Sequence, residues 1–285
     1  MHLYTGVVLH LTEAEAFVHT YWARPSDVGA AVEQILDAAR ANGVKNPRLL
    51  SLDLFDIDDL PTDVIPSPQA NTFWSEEKHY FDPEPVFAIP YGVIATHDEG
   101  EHDIDEIAPG FTRSADEDGM IVLEVNVEGP HLAAIYGELL KVHSRYEVFW
   151  YRLHDFWEDA TTQLLVSDLL DTPEAILAHL ADHEHDSLQN GYVTLTAYLE
   201  EGRTNLNLTE HKQITIYTYS EDLAKRYAEA LNGLGYPEMD ELVSFEFGIY
   251  HWHFRHPDSR TRSQLIEHLK EAGFRDWDPN SGDQE

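Results

Sequence analysis

The sequence predicts an α+β protein assembled from two similar halves, and three observations carry that reading. Apolar and polar residues alternate over short runs such as Met120–Val127 and Tyr192–Leu199, the period of a half-buried strand. Between such runs lie segments with helical spacing, most of them opening on a Ser, Thr or Asp able to cap the first turn. One segment also occurs twice: Leu132-Ala133-x-x-Tyr136-x-Glu138-x-Leu140 returns, 91 residues on, as Leu223-Ala224-x-x-Tyr227-x-Glu229-x-Leu231. Each copy follows an alternating strand and precedes an aromatic-rich one.

The first half opens with a strand over residues 4–11 and a loop holding Tyr21, Trp22 and Pro25. Ser26 or Asp27 then caps a helix from Val28 to Ala41, with Val32, Ile35 and Ala39 on one face and Gly43 just past its end. A strand follows at Arg48–Phe55. Residues 56–118 break the pattern: rich in proline and acid, they offer one strand near Val86–Thr96, an ordered lobe around Phe73–Ala95 and a solvated loop at His97–Glu106. Strand Met120–Val127, helix Pro130–Lys141 and strand Tyr146–Phe156 complete the half.

The second half repeats the order without the insertion. Strand Thr162–Ser167 leads to a helix opened by Thr172-Pro173 and ending near His183, then to strand Tyr192–Leu199. After a turn at Gly202 come strand Gln213–Tyr219, a helix over Glu221–Leu234 capped by Ser220, and a last strand at Val243–Phe254. A terminal helix starts at Asp258 or Ser259 and ends at Gly273, before a frayed tail. Each half therefore reads βαββαβ. The expected architecture is two tandem ferredoxin-like sandwiches, 1–157 with an insertion at about 56–118, and 158–285 with a C-terminal helix. One continuous sheet drawn from both halves is the alternative.

Composition narrows the function. The 285 residues are 42% hydrophobic and 11% aromatic, enough for a sizeable core and too apolar for a disordered chain. The absence of cysteine excludes disulfides, thiolate metal sites and cysteine nucleophiles. The formal charge of −35 opposes direct binding to nucleic acid or anionic membranes and favours a basic protein or a cation. Residues 56–118 hold 17 acidic and 2 basic residues, a concentration that pure surface solvation does not require. Adaptation to salt is the competing explanation. With no basic, apolar leader at the N-terminus and no run near the ~18–20 apolar residues of a membrane span, a soluble cytoplasmic protein is expected.

The sharpest chemical candidates are His251 and His253, which share one face of the expected last strand and present two imidazoles to Zn²⁺ or Fe²⁺. His256 is the third ligand candidate, with Asp258 just beyond it. A pair of half-polar rings at a sheet rim is the bland reading of the same letters. His179 and His183 stand four apart on a helix, but the Glu that a zincin places after the first His is missing, so a solvated helix end fits them better. Asp56-x-Asp58-Asp59, Asp98–Glu106 and Asp116-x-Asp118-Gly119 offer oxygen ligands without matching the EF-hand loop. There is no GxSxG, P-loop or GxGxxG, and so no cofactor is implied beyond a divalent metal. Asn207-Leu208-Thr209 matches a glycosylation acceptor by chance letters. The aromatic strand Phe149-Trp150-Tyr151 reads as core rather than as a base-stacking platform, given the charge.

Gly191-Tyr192-Val193, Gly202-Arg203 and Ile216-Tyr217-x-Tyr219 before a helix give residues 190–236 a look that resembles a bacterial domain of unknown function. That domain is often fused to the regulator of ribonuclease E activity B domain, which is acidic and ferredoxin-like. The resemblance implies a regulatory, non-catalytic protein and assigns no functional residue. The leading expectation is therefore an acidic, non-enzymatic regulatory or inhibitory protein that binds a basic macromolecular partner, nuclease- or toxin-like. Asp98, Glu99, Glu101, Asp103, Asp105 and Glu106 form its expected contact surface. The rivals are a metal-dependent enzyme using His251 and His253, and a small-molecule sensor using an inter-domain cleft.

Overall fold

The computed structural model describes residues 2–11, 16–55, 60–81, 86–96, 102, 104–246 and 248–277. Within them the chain is α+β, with two sheets and five α-helices. It divides into two compact units. The first takes residues 1–89, 93–107 and 243–257; the second takes 90–92, 108–242 and 258–285.

The sheet of the first unit is built from β1 (Leu3–Leu11), β2 (Ala16–Ala23), β3 (Arg48–Phe55), β4 (Ile65–Pro66), β5 (Thr72–Trp74), β6 (His79–Phe81), β7 (Val93–Ala95) and β15 (His251–His253). Its order is β15-β7-β3-β1-β2-β5-β4, with β6 also on β2. Strand β2 occupies the stretch expected to be a loop, and it pairs with β1 along its whole length, from Leu11↔Ala16 to Tyr4↔Ala23. A histidine within the apolar row Phe17, His19, Tyr21 hides its period in the sequence. Helix α1 (Val28–Ala41) forms where expected: the Asp27 carboxylate accepts from Ala30 N at 2.9 Å, and Gly43 takes φ +87° beyond the end. It closes onto the sheet over Gly6, where a Cβ would stand 2.9 Å from Ile35 Cδ1 and 2.8 Å from Leu49 Cδ1.

The expected strand Val243–Phe254 shrinks to the three residues of β15. Gly248 N donates back to Ser244 O at 3.2 Å, so the segment before β15 turns instead of extending. Phe245 and Ile249 are buried beside Phe87, Val93, Ala95 and Ile107 rather than in one strand row with the histidines.

The second unit holds β8 (Gly110–Ala115), β9 (Ile121–Asn126), β10 (Val148–Leu153), β11 (Gln163–Ser167), β12 (Val193–Leu199), β13 (Thr204–Leu208), β14 (Ile214–Thr218) and β16 (Arg275–Asp276). The order is β16-β11-β10-β12-β13-β14-β9-β8, and every pairing is antiparallel. With them come α2 (Gly129–Leu140), α3 (Pro173–Asp182), α4 (Glu221–Gly233) and α5 (Arg262–Glu271). The expected boundary at residue 157 falls between β10 and β11, which pair directly from Phe149↔Ser167 to Leu153↔Gln163. One sheet thus crosses both halves of the sequence, although the chain carries two sheets and not the single continuous one of the alternative. Strands β9 and β10 do not close a four-stranded sandwich, because β14, β13 and β12 lie between them.

The cause is the duplicated segment. The strands that lead its two copies pair with each other, Leu123↔Ile216 and Val125↔Ile214, and α2 packs on α4. Leu132, Tyr136, Leu140, Leu223, Tyr227 and Leu231 all enter one core. Each buried Leu contributes ~1.5–3 kcal/mol of apolar transfer, which separate sandwiches would have to recover from elsewhere. Strand β13 passed unseen because its letters, Thr-Asn-Leu-Asn-Leu, disguise a strand buried on both faces. Asn207 is satisfied only across the sheet, accepting from Thr196 Oγ1 at 2.7 Å and reaching Thr215 Oγ1 at 3.1 Å. Those bonds also remove it from any glycosylation role.

Candidate functional site

In the first unit the structure brings His251 and His253 together. Their Nε2 atoms lie 3.2 Å apart and their rings meet edge to face at 4.9 Å, both half-buried. His251 Nδ1–H donates to the Ile249 carbonyl at 2.7 Å, which leaves Nε2 as the lone-pair nitrogen. The neighbours are ordered from the opposite face, where Trp252 Nε1 donates to Leu52 O at 3.0 Å. Two nitrogens about 3.2 Å apart match the edge of a metal tetrahedron with bonds of ~2.0–2.1 Å. They match equally a single N–H···N hydrogen bond. His256 follows β15 by three residues and is half-buried.

Of the acidic contact surface, Asp98, Glu99, Glu101 and Asp103 lie outside the described residues. Asp105 and Glu106 are exposed on the 3-10 turn Ile104–Glu106, where Glu106 Oε2 meets His102 Nδ1 at 3.0 Å and the buried Ile107 anchors the end. The Asp116 loop is a hairpin turn: its Oδ1 accepts from Asp118 N and Met120 N at 3.0 and 2.8 Å, and Gly119 takes φ +82°. Residues 56–59 fall outside the described residues.

In the second unit, His179 and His183 belong to a row that the sequence reading left at two. His183 Nδ1–H donates to His179 O at 2.7 Å, so its Nε2 accepts from His268 Nε2, also at 2.7 Å. His179 Nε2 meets the Tyr151 hydroxyl at 3.0 Å. Burial first, then the neighbouring His183 and His268, pushes His179 down to about 4. His179 and His183 are half-buried against these partners, not at a solvated helix end. His268 stands 85 residues from His183, and no local spacing links the two.

A second cluster was missed altogether. Lys212, 1% exposed, sends Nζ to Asn190 O at 2.6 Å and Ser187 O at 3.3 Å, and burial pushes its ammonium down to about 7 against the opposing pull of Glu210. Glu210 Oε2 accepts from Thr194 Oγ1 at 2.6 Å and lies 3.2 Å from His154 Nε2. Burial pushes the Glu210 carboxyl up, but the bonds from His154 and Thr194 outweigh it and hold the group well below the usual carboxylate range. Thr194 and Glu210 converge on one nitrogen of His154. A hydrolytic triad needs the acid and the nucleophile on opposite nitrogens, so this arrangement does not form one. The aromatic strand behaves as core, with Phe149 and Tyr151 fully buried and Trp150 stacked on Tyr198 at 6.0 Å.

Comparison with known proteins finds no matching family model, no matching curated protein and no matching solved structure. No helix among the described residues is long and apolar enough to cross a membrane.

Proposed function

We propose that the chain is an acidic, non-enzymatic regulatory or inhibitory protein whose partner is a basic macromolecule, such as a nuclease or toxin. The observation that carries this reading is how the chain's few cations are used. Arg40, Lys141, Arg145, Lys225 and Lys270 sit in ion pairs with carboxylates of the same chain. Lys212 and Arg262 are buried on backbone carbonyls, and Lys78 lies over the Phe17 ring at 4.1 Å. Cations so occupied leave an excess of carboxylates, shared by both units, to set the outer field. Exposed pairs of this kind add little stability, which favours a role for the charge outside the fold. The resemblance at residues 190–236 points the same way.

The experiment is affinity capture with the purified chain at several ionic strengths, followed by neutralisation of Asp98, Glu99, Glu101, Asp103, Asp105 and Glu106. A basic partner whose affinity falls with salt, and whose salt dependence shrinks in the neutralised variant, supports the reading. Capture that ignores both salt and these residues overturns it.

A second reading is favoured by the His251–His253 geometry: a divalent-metal site serving a metal-dependent reaction. Its support is the 3.2 Å nitrogen separation with one tautomer already locked. Elemental analysis of the protein, with thermal shift on adding Zn²⁺, Mn²⁺ or Fe²⁺, tests it. No bound metal and no shift that depends on both histidines removes it.

A further inference from the structure

In the second unit the C-terminal end of α2 with the residues after it, the first turn of α3 and one side chain of α4 line an open cavity of about 570 Å³. Its lining holds two cations and one carboxylate. Lys141 and Arg226 both line it, together with His143, Ser144 and Glu174. Lys141 is half-exposed and bonded to Glu138 at 2.7 Å, while the Arg226 guanidinium is fixed in place by the Val142 carbonyl. A carbonyl neutralises none of the Arg226 charge. Two cations, one of them already paired with Glu138, therefore share one concave surface in a chain of net charge −35.

A second observation is independent of charge. His143 Nε2 is buried without a hydrogen-bond partner, and so is the hydroxyl of Tyr227, whose ring centroid lies 5.7 Å from that of His143. Tyr146 donates to Leu140 O at 2.7 Å. Buried polar atoms are satisfied in the great majority of native structures, so an orphan beside a cavity is a group that a water or a ligand there can satisfy. Here the orphaned nitrogen is on a residue that lines the cavity.

We propose that this cavity binds a small hydroxylated anion, a sugar phosphate or sugar acid. Lys141 and Arg226 take the phosphate or carboxylate group, as paired cations do in anion recognition. Glu174 and Ser144 take hydroxyls, one as acceptor and one as donor or acceptor. His143 Nε2 gains the polar partner it lacks. Burial, and then Arg226, lowers the His143 basicity against the opposing pull of Glu201 and Glu147, so the ring serves as a neutral hydrogen-bonding group. The cavity volume falls in the range of small-molecule sites, ~300–1,000 Å³. The inference does not depend on the acidic-partner reading, because it uses none of the residues of the acidic contact surface.

The test is calorimetric titration of the full chain with glucose 6-phosphate, glucuronate and inorganic phosphate, with glucose and NaCl at matched ionic strength as controls. One of the two charged sugars binds with a Kd of roughly 1 mM or tighter, and glucose does not bind. Which charged sugar binds more tightly distinguishes phosphate from carboxylate. Lys141→Met and Arg226→Met each weaken binding about 10-fold, the scale of one lost charge-assisted contact. Arg226 also bonds to the backbone, so that variant is checked for folding by circular dichroism; the half-exposed Lys141→Met keeps the test valid if it fails. Absence of heat with all three anions overturns the proposal, as does binding that Lys141→Met leaves unchanged.

Discussion

Replacing Lys212 by Met isolates the effect of one buried charge on stability. Lys212 closes the turn between β13 and β14 with φ +60°, a conformation equally strained for Lys and Met, so the substitution leaves the backbone term unchanged. Its ammonium is pushed from 10.5 down to about 7 in the folded chain, while the unfolded chain keeps the ordinary value. Between those two values the unfolded state binds more protons than the folded one, so stability rises with pH. The benefit is complete above the unfolded value and is lost as pH falls toward 7. At 1.36 kcal/mol per unit the whole window is worth up to ~5 kcal/mol, and the interval from pH 7 to 9.5 about 3 kcal/mol. The Met variant lacks this term. Urea denaturation of both proteins at pH 7, 8 and 9.5 reads the difference, below the range where the buried phenols ionise. The wild type gains about 3 kcal/mol on the variant across the interval. Parallel pH profiles would refute the reasoning, whatever the absolute stabilities.

Three shorter expectations accompany it. Tyr136→Phe removes a buried hydroxyl with no partner, so unfolding free energy stays level or rises by ~1 kcal/mol; a loss of that size in chemical denaturation would reveal a partner for the hydroxyl. His179, held down to about 4, is neutral in the folded chain while its unfolded form protonates near 6.5, so stability is lost as pH falls from 6.5 toward 4. Thermal midpoints from pH 7 to 4.5 fall less steeply in His179→Gln, by a term of at most ~3 kcal/mol at the acid end; equal slopes count against a neutral His179. Thr261→Ala breaks a capping box, in which Thr261 Oγ1 accepts from Gln264 N and Gln264 Oε1 from Thr261 N, and costs about 1 kcal/mol by urea midpoint.

The sequence by itself determined what depends on near neighbours. Asp27, Thr172 and Ser220 cap α1, α3 and α4 because a short side chain needs only the amide three residues on. Gly43 and Gly235 leave their helices with positive φ for the same local reason. The His251–His253 pair was visible because side chains two apart on a strand share a face. The terminal helix is capped two or three residues after the expected Asp258 or Ser259, because the capping box forms at Thr261.

Only the tertiary structure decided which strands meet. The duplicated segment was legible, yet its two copies were assigned to separate sandwiches, whereas β9 and β14 pair and place both in one core. Local letters cannot distinguish these outcomes, because each buries the same apolar faces and differs only in the partner. The same limit hid β2 and β13, whose polar residues become strand residues only when a neighbour satisfies or covers them. It also hid the partnerships His183–His268 and His154–Glu210, and the gathering of Lys141, His143 and Arg226 around one cavity. Contacts across 50 or more residues follow from sheet order, and sheet order is a property of the whole chain's packing.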